Sequence, residues 1–218
     1  MTIERRNFLT LAALVILPIS LSACSGSAPV ETNFPPLNYS YLPPMTLKVA
    51  SVRIRNEYVP GPGAASLIAE TPQAPALVLE KMAHDRLMAN GSPGMATFVI
   101  KRASLNEVNG QLVSTMTVEL NVRTPDGQRV GYADASVSRS VTAASQNDGV
   151  PAMRAALYNL IKATMSDMNV QFQYQVQKSL SDWLAYAPTG EIGGNVIGAP
   201  QNPGMGGIST QPLSTPNP

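Results

Sequence analysis

From Pro151 to about Ala185 an apolar side chain returns every three or four residues: Met153, Leu157, Ile161, Met165, Met168, Phe172, Val176, Leu180 and Trp183. That spacing lines them up on one stripe of a single amphipathic helix. A helix of this span is about 50 Å long, and its stripe needs a broad apolar platform. A ten-residue strand reaches about 33 Å. A straight helix would therefore overrun such a sheet, and its C-terminal turns would need another partner or a bend. Gln171–Gln177 also alternates with period two, which leaves a strand there as the lesser reading. On a helix, Tyr174 points away from Phe172 and Val176.

The platform is legible upstream. Ser114–Arg123 alternates Met116, Val118, Leu120 and Val122 against Thr115, Thr117, Glu119 and Asn121, a strand with one dry and one wet face. Pro125-Asp126-Gly127 is a turn signal. Arg129–Thr142 alternates again through Ala133, Ala135, Val137 and Val141, with Asp134 and Ser136 on the other face, so the two runs read as a hairpin. Thr97–Ala103 is a further strand. Leu47–Ile54 is the first, with room for a bulge at Ala50-Ser51 where the alternation slips. A loop is expected at Pro60-Gly61-Pro62-Gly63, then a helix from Pro75 to Ala89. Pro75 suits its first turn and Asn90-Gly91 its stop, and its inner face is Leu79, Met82, Ala83 and Leu87. The order β-α-β-β-β-α predicts an α+β domain, with two helices on one face of an antiparallel-rich sheet.

Cys24 is the single cysteine, which excludes an internal disulfide and leaves stability to a packed core. It closes an apolar run from Phe8 to Leu21, preceded by Arg5 and Arg6 and interrupted by Pro18. A run of about fourteen residues is in the signal-peptide range and short for a membrane span. Leu21-Ser22-Ala23-Cys24 resembles a bacterial lipobox. That resemblance implies a signal peptide over 1–23, cleavage before Cys24, and fatty acylation (palmitate among the chains) of the cysteine. Two or more chains hold a protein stably in a bilayer. Arg5-Arg6-Asn7-Phe8-Leu9 also resembles a twin-arginine export signal, with Glu4 and Thr10 departing from that pattern. General secretion and twin-arginine export both stay open. Ser25 after the cysteine favours, by resemblance to enteric lipoproteins, the outer membrane on its periplasmic face.

The organisation that follows is an acylated cysteine with a Pro-rich tether over 24–44, a single domain over 45–186, and a Gly/Pro/Asn-rich tail over 187–218. The tether contains Phe34-Pro35-Pro36 and Leu42-Pro43-Pro44, which favour extended polyproline geometry. Tyr39 and Tyr41 either dock on the domain or lie at the lipid interface. Over 188–218 the only charge is Glu191, and the composition reads as disordered. Losing Glu4, Arg5 and Arg6 from totals of 15 Lys+Arg and 14 Asp+Glu leaves the mature side chains balanced. A neutral chain lacks the basic footprint of nucleic-acid binding.

No residue pattern marks a catalytic centre. His84, the only histidine, sits beside Lys81, Asp85 and Arg86 and reads as a solvated helix residue. No His/Cys set suits zinc, and Asp126-Gly127 is a turn, not a calcium loop. Gly61-Pro62-Gly63 lacks the Lys-Ser/Thr of a phosphate loop. Met165 and Met168 fall on the apolar stripe and read as packing. No cofactor or metal is expected. An enzyme would need acids converging in a cleft, with Glu80, Asp85, Glu119 and Asp134 as the candidates.

Val49-Ala50-Ser51, Asp85-Arg86-Leu87 and Leu180-Ser181-Asp182-Trp183-Leu184, in this element order, are similar to small Gram-negative envelope lipoproteins. These include an alphaproteobacterial lipoprotein group and the ABC-type transport auxiliary lipoproteins. The resemblance implies a non-enzymatic binding or assembly subunit of an envelope or transport complex, with a protein partner in the envelope. A structural lipoprotein near the cell wall and an envelope hydrolase are the other readings.

Overall fold

The computed structural model describes residues 32–185. The strands are β1 (Met45–Leu47), β2 (Ser51–Asn56), β3 (Leu87–Ala89), β4 (Met95–Val108), β5 (Gln111–Arg123) and β6 (Val130–Thr142). The helices are α1 (Pro62–Glu70), α2 (Pro75–Arg86) and α3 (Gly149–Ser179). The main sheet has the order β2-β4-β5-β6, with β2 parallel to β4 and the other pairs antiparallel. β1 and β3 form a separate parallel pair. The fold is the expected α+β arrangement with an antiparallel-rich sheet and a long C-terminal helix.

The expected stripe on α3 is the centre of the core. Leu157, Ile161, Met165, Met168, Phe172 and Val176 are all buried. They meet Ala96, Phe98, Ile100, Met116, Val118, Leu120, Ala133 and Ala135 from the inward face of the sheet. Phe98 and Phe172 pack edge to face, with centroids 5.4 Å apart and planes at 84°. Arg139 and Asp167 form a two-pronged ion pair that ties β6 to α3. The strand reading of Gln171–Gln177 is overturned: the helix runs through it, with Tyr174 exposed between buried Phe172 and Val176.

Of the two expected remedies for a long helix, a partner or a bend, the chain takes the bend, and the straight part of α3 does not overrun the sheet. β4 and β5 have 14 and 13 residues, longer than the alternation alone indicated, and a strand of 13 is about 44 Å long. α3 stops after 31 residues, about 46 Å. The extra strand length runs to Asn109-Gly110, whose φ angles of 51° and 73° fit the left-handed pair of a tight hairpin turn. After Ser179 the chain bends through a 3-10 turn at Ser181–Trp183. Leu184 bridges Leu47, and the Trp183 carbonyl accepts the Lys48 N–H at 2.7 Å.

Three other local expectations are corrected. The first strand is two strands in different sheets. At the slip the Val49 N–H turns back to the Leu47 carbonyl at 2.9 Å, and Ala50 N–H reaches the Gly94 carbonyl at 3.0 Å. The expected loop at Pro60–Gly63 opens α1 instead, with Gly61 at the N-cap and Pro62 in the first turn. Ala64 is buried, and Leu67 and Ile68 pack against the core. The second helix ends at Arg86 rather than Ala89, because Leu87–Ala89 pairs with β1.

Gly131 admits the segment Leu180–Trp183. A Cβ there would lie 2.5 Å from Leu180 Cδ2 and 2.6 Å from Trp183 Nε1. Gly131→Ala should push Trp183 outward. Trp183 is the single tryptophan, so its emission should shift to the red. Urea melts should show a loss of about 1–3 kcal/mol.

Candidate functional site

Two features stand out from the body of the fold: a docked N-terminal strap and an uncovered sheet face. The strap is the second half of the expected tether. The Gln73 side chain accepts the Leu37 N–H at 2.9 Å and donates to the Pro35 carbonyl at 2.6 Å. The Asp85 carboxylate accepts the Tyr39 N–H at 2.8 Å, and the Tyr158 hydroxyl donates to the Pro35 carbonyl at 3.0 Å. Phe34 lies 5.2 Å from the Tyr158 ring and under the Arg154 guanidinium. Tyr39 is buried and Tyr41 exposed, so the first docks on the domain.

Arg86 anchors the other end of the strap. It is 1% exposed. Its Nε donates to the Pro43 carbonyl at 3.1 Å, Nη1 to Asn169 Oδ1 at 3.0 Å and Nη2 to Gln173 Oε1 at 2.7 Å. All three acceptors are neutral. Burial therefore pulls its pKa below the usual arginine value. Sequence reasoning passed over Arg86, yet the signal was there: it follows Met82 by four residues and Ala83 by three, on the buried stripe of α2.

The helices pack on one face of the main sheet, and the other face is open. Alternation and register lay it out in rows. Arg53, Thr97, Asn121 and Tyr132 make one row; Arg55, Val99, Glu119 and Asp134 make the next. A register shift between Ile100 and Arg102 turns both Lys101 and Arg102 outward. A groove of about 680 Å³ crosses these rows. Glu57 at its rim accepts from Arg55 at 3.0 Å and from Lys101 at 2.8 Å. The Lys101 hydrogen bond draws the Glu57 carboxyl below its usual pKa and raises that of Lys101. Tyr132 is raised by burial and by the nearby Glu119 and Asp134 carboxylates. Further along, Thr117–Ser136 at 2.9 Å and Thr115–Ser138 at 3.0 Å form a hydroxyl ladder.

Arg5, Arg6, Phe8, Leu9, Leu21, Ser22, Ala23 and Cys24 lie outside the described residues, as does the tail. His84 is exposed on α2. Asp85 is bound to Lys81 and to the strap. Glu119 and Asp134 are opposite each other on β5 and β6, while Glu80 is on α2, so the four candidate acids do not converge. Asp126 accepts from Thr124 and from the Gln128 N–H within its turn. Met165 and Met168 are buried in the core. Among the described residues no group of three His, Cys, Asp or Glu could hold a metal ion, and no helix is long and apolar enough to cross a membrane.

No family model and no curated protein matches the sequence. Among solved structures, the chain is similar to a Xanthomonas campestris protein described by the family model DUF330. Identity is 13% and the TM-score 0.33, over 66% of this chain and 92% of that one. It is also similar to lipoprotein GNA1162 from Neisseria meningitidis, at 9% identity and a TM-score of 0.26, over 58% and 99%. A third is the rare lipoprotein B from Shewanella oneidensis, at 13% and 0.21, over 56% and 98%. Likeness at this level assigns no role to any residue.

Two outcomes follow from the strap. Arg86→Ala removes three hydrogen bonds and leaves a cavity, and should destabilise the domain by about 3 kcal/mol in urea melts. Arg86→Lys should restore little, since one ammonium cannot span all three acceptors. Burial raises the Asp85 carboxyl, but Lys81 and the Tyr39 N–H more than offset it, so its folded pKa lies below 3.8. Its contribution is therefore complete above the unfolded carboxylate value and fades as pH falls through the depressed folded value. The hydrogen-exchange protection of the Tyr39 amide, relative to its intrinsic rate at each pH, should be constant at pH 5–7 and fall below about pH 4, more so than for amides in β5. Asp85→Asn should remove that difference.

Proposed function

We propose that this protein is a lipid-anchored envelope lipoprotein, facing the periplasm, whose domain works by binding as a subunit of an envelope or transport assembly. The observation that carries the reading is the docked strap. Leu21-Ser22-Ala23-Cys24 ends the apolar run, and docking begins at Phe34. At about 3.1 Å per residue, ten residues can reach no further than about 30 Å. An acylated Cys24 would hold the domain close to the bilayer rather than on a long free tether.

The geometry also supports a direction. Phe34 sits against Arg154 and Tyr158, early in α3. Trp183 sits against Gly131, and Ala185 N–H bonds to the Thr46 carbonyl at 2.8 Å. The anchored end and the tail end thus lie at opposite poles, about 40 Å apart along α3. The open sheet face runs between them, facing sideways along the membrane, where a partner in the same membrane could meet it.

Cys24→Ser should move the protein from the membrane fraction to the soluble periplasmic fraction, or stall its processing, and abolish palmitate labelling. An unchanged membrane fraction with unchanged processing would overturn the anchor. Crosslinking in intact cells should return defined envelope or transport components. Recovery of porins and free protein alone would count against the assembly role.

A further inference from the structure

The open face is divided by charge. Its β2–β4 half carries Arg53, Arg55, Lys101 and Arg102, with Glu57 shared between Arg55 and Lys101. Its β5–β6 half carries Glu119 and Asp134, with Arg123 at the far end of β5. Turned over, a surface with cations on one half and carboxylates on the other can set an arginine of one copy against a carboxylate of its mate.

We infer that this face binds a second copy of the chain, sheet on sheet, about a two-fold axis parallel to the strands. Such an axis sets β2 over β6 and β4 over β5 of the other copy. Arg55 then stands over the row position of Asp134 in its mate, and the contact is made twice. A two-fold axis across the strands would instead set cations on cations. Aligned sheet packing keeps the strand directions within about 30°, so the rows stay in register near the axis.

The size is sufficient. Strands of 6, 14, 13 and 13 residues, at about 3.4 Å rise and 4.8 Å spacing, cover about 750 Å². A specific interface buries about 800 Å² per partner. The side chains fit a contact that is steered by charge and closed by short groups. Thr97 lies in the middle beside Val99, which its neighbours already cover, the hydroxyl ladder fills the end near the β4–β5 turn, and Tyr132 is half exposed beside Val130.

The anchor gives an independent argument for the same axis. Rotation about the strand direction leaves both anchored poles pointing the same way, so two copies can share one membrane. The charge pattern of the face is the same with or without the anchor. The sequence over 188–218 is a poorer match for the face, because it offers one carboxylate, Glu191, to the four cations and no cation to Glu119 and Asp134.

The test uses residues 24–218 with Cys24→Ser, so that no detergent is needed. Analytical ultracentrifugation should give a dimer at micromolar concentration, weakened by salt. Arg55→Asp and Asp134→Arg should each raise the dimer Kd about tenfold or more. The two together should bring it back to within about threefold of the parent. Within one copy these residues are three strands, about 14 Å, apart, so the rescue would report on the contact between copies. If a reversal unfolds the domain in a thermal melt, Arg55→Gln and Asp134→Asn read the same loss. A monomer at every concentration would overturn the inference, as would single changes that leave the association intact. A dimer that forms only after removal of 186–218 would place the tail on this face, and would overturn it too.

Discussion

The apolar stripe of α3 against the inward face of β4, β5 and β6 is the contact on which the rest of the molecule depends. It supplies six large side chains that leave water almost completely. Each contributes roughly 1.5–3 kcal/mol, an upper figure because the unfolded chain is already partly compact. The stripe also fixes geometry. Because α3 and the longest strands have nearly equal lengths, the helix covers the sheet from end to end. The bend after Ser179 then brings Leu180 and Trp183 back over Gly131. α3 lies over β5 and β6 while α1 and α2 lie over β4, so the helices share one face and leave the other without one.

The strap is held by a different kind of interaction. Arg86 is a guanidinium out of water with amide and carbonyl acceptors. Such a group is tolerated only where its N–H donors are satisfied. Pro43 supplies one acceptor from the strap, while Asn169 and Gln173 supply two from α3. The three elements are therefore joined through a single side chain, and removing any acceptor leaves a buried donor unmet. Asp85 performs the same task for the Tyr39 amide nearer solvent. Buried polar pairing thus locates the N-terminal segment, where apolar burial alone would leave its path less defined.

The elements that the sequence revealed are those with strong period. The stripe from Met153 to Trp183 and the alternations in β5 and β6 appear almost as read. What escaped was decided by competition. Leu87–Ala89 continues the pattern of α2 but gains more from pairing with β1. Ala50-Ser51 looks like a bulge, but it is the crossing between two sheets. The Pro-rich segment has the composition of a free spacer, yet the Gln73 amide just before α2, and Asp85 and Arg86 on it, satisfy its backbone. Asn109-Gly110, a strong hairpin signal, would have given the true lengths of β4 and β5. On the open face, Arg53, Arg55, Glu119 and Asp134 are far apart in sequence, and nothing local announces that they share two adjacent rows.

Local periodicity therefore determined the helix and strand faces, the α+β class and the residues of the core, because side-chain direction follows directly from backbone period. The run ending at Cys24 is local in the same sense, and the anchor proposed for it rests on that pattern alone. Tertiary structure alone decided the sheet order, the docking of the strap on Arg86 and Asp85, and the division of the open face into a positive and a negative half. These depend on which strands become neighbours and which polar groups lose water together, and both are settled only when distant segments pack.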